Sequence, residues 1–130
     1  MRLLSFLTEI ERALQADDPS PLGGSWESAR SVNYHQGLAR LTLGARKSGE
    51  APVPLGAILI QEFRLADGSI CLKSRLGWAG AAEGESHAIY ESPETLWSTE
   101  ARRVASLWQA GREKVAGLEA AEQTPLVASA

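Results

Sequence analysis

Apolar residues recur along residues 3–15 with the period of a helix. Leu3, Phe6, Leu7, Ile10, Ala13 and Leu14 share one stripe, while Ser5, Glu9 and Arg12 lie off it. The pattern predicts an amphipathic helix. Asp17-Asp18-Pro19 ends it, because proline lacks the N–H that the next turn needs. Residues 17–25 carry two prolines and two glycines and read as a loop. Residues 26–36 show neither period, and a strand and a short helical turn both fit them.

Past Gly37 the period falls to two. Ala39, Leu41 and Leu43 point one way, and Arg40, Thr42 and Arg46 the other, as in a half-buried strand. Residues 47–54 hold two prolines and form a turn. Two further apolar runs flank Asp67-Gly68, a strong hairpin signal. A two-residue loop there would pair Leu65 with Ile70, Phe63 with Leu72, Gln61 with Ser74, Leu59 with Leu76 and Ala57 with Trp78 on one face. The other face would hold Arg64 with Cys71, Glu62 with Lys73, Ile60 with Arg75 and Ile58 with Gly77. The first face is the more apolar and is expected to be buried, with Gln61 and Ser74 as its one polar pair. A glycine-rich stretch, 77–84, leads to a short fourth strand at 86–91.

Ser92-Pro93-Glu94 reads as an N-cap, a first-turn proline and a first-turn acid. From there Trp97, Ala101, Val104, Trp108, Gly111, Val115 and Leu118 step by three and four. They form one seam on a helix of about 25 residues, with a frayed tail at 123–130. The expected fold is α+β, one domain over residues 1–122 in two layers. An N-terminal helix, an antiparallel meander of three to four strands and a long C-terminal helix packed on one sheet face make it up.

Composition narrows the function classes. The chain has 130 residues, 44% of them hydrophobic, enough for a core without disulfides or a structural metal. Its formal charge is −3 and its 13 lysines and arginines are dispersed, which speaks against nucleic acid. A single cysteine forbids an internal disulfide and suits a reducing cytoplasm. Glu9, Glu11 and Arg12 interrupt any signal-peptide core, and no apolar run approaches the ~20 residues of a membrane span.

Candidate chemistry is sparse. No histidine or cysteine pair has metal-ligand spacing, and no acid, base and nucleophile can be assembled from local spacing. Cys71, among cations in the expected register, is either an activated thiol or an ordinary strand residue. The sequence therefore points first to a non-catalytic binding or assembly module, cytoplasmic and homodimeric. Its long helix seam, and Ile58 and Ile60 on the charged face, would offer apolar surface to a second copy. The alternative is a small-ligand binder with a pocket between sheet and helices. Gln61, Ser74, Arg75, Trp78, His87 and Tyr90 are its candidate residues, the glycine-rich stretch its gate, and an organic acid or haem its ligand. His35, His87, Cys71 and Tyr90 are potential iron ligands, but no haem-attachment motif accompanies them. An enzyme is the reading with least support.

Overall fold

The computed structural model describes residues 2–80, 86–90 and 97–128, with side chains described for residues 3–80 and 98–114. Helix α1 spans Arg2–Asp17. Five strands follow: β1 at Ser25–Asn33, β2 at Leu38–Arg46, β3 at Val53–Arg64, β4 at Ile70–Trp78 and β5 at Ser86–Tyr90. Helix α2 spans Trp97–Ala128. The strands form one antiparallel sheet in the order β1-β2-β3-β4-β5, an unbroken meander with β3 at its centre. The α+β class expected from the sequence is present, with one strand more than expected. The additional strand is β1, formed by the stretch that showed no period.

The helices share one face of the sheet. α1 lies over β1 and β2, α2 lies over β4, and the two pack side by side. The stripe of α1 is buried as expected: Leu7, Ile10 and Leu14 are fully enclosed, and Leu3 and Phe6 nearly so. From α2, Ala101, Val104, Ala105 and Trp108 enter the same core. From the sheet come Ala39, Leu41, Leu43 and Ala45 of β2, Leu55, Ile58 and Ile60 of β3, and Ile70, Leu72 and Leu76 of β4. Burying each such large aliphatic side chain stabilises the fold by about 1.5–3 kcal/mol before entropy is counted. α2 has 32 residues and takes in 123–128, expected from the sequence to be a tail. The Ser92-Pro93-Glu94 cap, and the side chains of Trp97, Val115 and Leu118 from the seam, lie outside the described residues.

β1 explains its own missing period. Its inward residues are Trp26, Ser28, Arg30 and Val32, half of them polar, because the strand lies against the polar flank of α1. The Ser28 hydroxyl donates to Glu11 Oε1 at 2.8 Å, and the Arg30 guanidinium donates to Thr8 Oγ1 at 2.9 Å.

The β3–β4 hairpin corrects the expected register. Its loop has three residues, Ala66, Asp67 and Gly68, rather than two. The Gly68 N–H donates to the Leu65 carbonyl at 3.0 Å, and the Leu65 N–H donates to the Ser69 carbonyl at 2.8 Å. Gly68 has φ +88°, the left-handed position that closes such a turn and that glycine occupies without a Cβ penalty. The one extra residue moves every partner by one. Ile60 stands opposite Ser74, Ile58 opposite Leu76, Gln61 opposite Lys73 and Phe63 opposite Cys71. β4 keeps its expected inner face, whereas β3 is turned over. Ile58 and Ile60, expected on a charged outer face, are core residues with no exposed surface.

Candidate functional site

Turning β3 over rebuilds the sheet's other face, the one opposite the helices. Down the central strand run Ala57, Leu59, Gln61, Phe63 and Leu65. Phe63 and Leu65 are 36% and 39% exposed, and Ala57 and Leu59 are half-buried. Leu59 is flanked in register by Arg40 of β2 and Arg75 of β4, and Gln61 by Leu38 and Lys73. Adjacent strands lie about 4.8 Å apart, so Arg40 and Arg75 stand roughly 10 Å apart at the backbone with the apolar stripe between them. All three cations are exposed. The Lys73 ammonium lies 5.3 Å from the centroid of the Phe63 ring, a cation–π contact at the surface. Beside the β2–β3 bulge at Leu43/Gly44, a shallow groove of about 250 Å³ opens between Glu27, Thr42, Val53 and Pro54.

The residues expected to line one pocket are divided between the two sides of the sheet. Gln61 is exposed on the outer face. Ser74 is 1% exposed on the inner face, so the Gln61/Ser74 pair does not exist. Arg75 is exposed on the outer face. His87 stands opposite Ser74 in register and Tyr90 opposite Cys71, and their side chains lie outside the described residues, as does the glycine-rich stretch from 81 to 84. His35 is exposed in the β1–β2 turn. Cys71 faces Phe63 rather than Arg64 and is 2% exposed, which removes the accessibility a reactive thiol needs.

Trp78 belongs to a different construction. Its indole N–H donates to the Trp108 carbonyl of α2 at 2.7 Å, and the Trp108 indole N–H donates back to the Gly77 carbonyl of β4 at 2.9 Å. Trp26 lies against Trp108 with ring centroids 6.2 Å apart, and its N–H donates to the Asp18 carbonyl at the end of α1. The Arg112 guanidinium sits 5.9 Å from both the Trp26 and Trp108 rings and pairs with Asp18 at 2.8 Å. Three tryptophans and one arginine thus tie α1, β1, β4 and α2 together. Each indole N–H named here is spent on a backbone carbonyl, so the cluster is a clamp between layers.

Among the described residues, no group of three or more His, Cys, Asp or Glu side chains could hold a metal ion, and no helix is long and apolar enough to cross a membrane. Arg40 and Lys73 fall on the outer face in either register, and the residues that join them there, Leu59 and Phe63, follow from one signal. Asp-Gly also fits the last two positions of a three-residue loop, and that choice alone brings them to one face. Comparison of the chain with protein families, with curated proteins and with solved structures finds no match.

Proposed function

We propose that this protein is a non-catalytic binding module that works through the open face of its sheet. One observation carries the reading. The helices cover a single face, yet down the central strand of the opposite face run Ala57, Leu59, Phe63 and Leu65, interrupted only by Gln61, where an antiparallel sheet ordinarily presents polar residues to water. Isolated exposed aliphatics need no explanation, but aligned Leu59, Phe63 and Leu65 between Arg40 on one side and Lys73 on the other form a surface with a composition of its own. Exposed Phe63 and Leu65 beside cations are the composition of a protein-contact surface.

The small-ligand reading, with an organic acid or haem between sheet and helices, is less well supported. Ile58, Ile60, Leu72, Leu76 and Trp108 fill that layer with no exposed surface, and a ligand there would have to displace core. Native mass spectrometry of the protein purified from its own host, with an absorbance scan from the ultraviolet through the visible, separates the two. A second polypeptide bound to the wild-type chain and lost from Leu59→Ser/Phe63→Ser supports the open face. A co-purifying small molecule or a haem band, unaffected by that double substitution, supports the pocket and ends the present reading.

Homodimerisation is a second reading with its own observation. β1 is an edge strand of nine residues without proline or bulge, paired on one side by β2 along its whole length. Such an edge can pair with its counterpart in a second copy. A chain that sediments as a monomer up to hundreds of micromolar would remove it without touching the open-face reading.

A further inference from the structure

We infer that the segment received by the open face is an acidic amphipathic helix of a partner protein. The inference rests on the reading of that face as the working surface and names its partner.

Charge selects the partner's sign. Outer-face positions on β1 contribute one charge, Glu27, and it is paired with Arg46 of β2 at 2.6 Å. Arg75 left aside, β2 adds Arg40, β3 adds none, and β4 adds Lys73. The described part of the face is therefore positive on a chain whose formal charge is −3. Arg40 has no ion pair among the described residues. A second copy laid face to face would set these cations against their own kind, which costs affinity. An acidic partner gains from the same arrangement.

Geometry selects the partner's shape. An extended peptide satisfies its backbone by adding to a sheet edge, whereas an element lying on a sheet face must satisfy its own hydrogen bonds, as a helix does. The stripe from Ala57 to Leu65 spans eight residue steps, roughly 27 Å, the length of about 18 helical residues. A helix about 10 Å wide matches the roughly 10 Å between the β2 and β4 rows. Its apolar side would lie on Leu59, Phe63 and Leu65. Acids on one flank would reach Arg40, and acids on the other Lys73.

The test uses a designed amphipathic peptide of about 18 residues, with leucines at helical spacing and glutamates elsewhere, and a twin in which lysines replace the glutamates. Each is titrated into the ¹⁵N-labelled full chain while amide resonances are followed. The acidic peptide is expected to shift amides of 38–42, 57–65 and 71–77. Arg40→Glu/Lys73→Glu, both exposed positions, is expected to weaken it about tenfold with the remaining spectrum unchanged. Salt of about 0.5 M should weaken it as well. If the lysine twin shifts the same amides as strongly, the acidic partner is overturned and the open face survives. If neither peptide shifts them while Leu59→Ser/Phe63→Ser still loses its native polypeptide, the helix is overturned and the face again survives. A single-stranded oligonucleotide that shifts these amides when the acidic peptide does not would give the face to nucleic acid and overturn the inference.

Discussion

Asp67 and Gly68 decide which side of β3 meets the core. Asp67 Oδ1 accepts from the Ser69 hydroxyl and, at 2.9 Å, from the Ser69 N–H. These bonds, the hydroxyl first, hold the Asp67 carboxyl below the usual carboxylate range. Unfolded, the group returns to its ordinary value. Its contribution to stability is therefore complete above that value and is lost as the pH falls through the lowered folded one. In a carboxyl-carbon NMR titration, Ser69→Ala should move the Asp67 midpoint upward, toward that of an unstructured aspartate. An unchanged midpoint would mean that the turn is built another way. At the other end of the molecule, Gly111 lets α2 approach Trp78 so closely that a Cβ there would run into the indole ring. That ring is anchored by its bond to the Trp108 carbonyl. Gly111→Ala gains helix propensity and still should destabilise by about 1–3 kcal/mol in urea titration, because the clash outweighs it. A stabilised variant would show that Trp78 is free to move.

Among the elements, legibility in the sequence tracked how completely an element's environment was apolar. α1 was readable residue by residue because its stripe meets only core, and β2 because Ala39, Leu41 and Leu43 do the same. β1 was not, since its inner face meets α1's polar flank. The pairs Ser28–Glu11 and Arg30–Thr8 replace the hydrophobic alternation that marks a strand. β3 is apolar on both sides, so its pattern could not choose a face. The choice fell to a loop whose two-residue and three-residue forms share the Asp-Gly dipeptide. Substitution tests the outcome directly. Ile60→Ala should cost about 2–5 kcal/mol by cavity formation, and Phe63→Ala under about 1 kcal/mol. The two-residue register would reverse that order in the same denaturation experiment.

The candidate site inherits this ambiguity. The expected cluster around Gln61 and Ser74 depended on a face that β3 does not present there. The surface that replaces it was invisible for the same reason, because Leu59 and Phe63 read as core. Trp78, expected beside a ligand, is instead part of the clamp formed with Trp108, Trp26 and Arg112.

At the scale of the whole molecule, both helices lie on one face of the sheet, and among the described residues no helix lies on the other. Two helices close the first, and the tryptophan clamp fixes them to the sheet. On the second, Leu59, Phe63 and Leu65 lie between Arg40 and Lys73, and the proposed binding role rests on this surface. The most direct measurement is photo-crosslinking in the native host, with p-benzoylphenylalanine placed at Leu59 on the open face or at exposed Gln15 on α1. One discrete protein adduct is expected from position 59 and none of the same mass from position 15. An adduct from position 15 with none from position 59 would place the working surface on the helices and contradict the open-face reading.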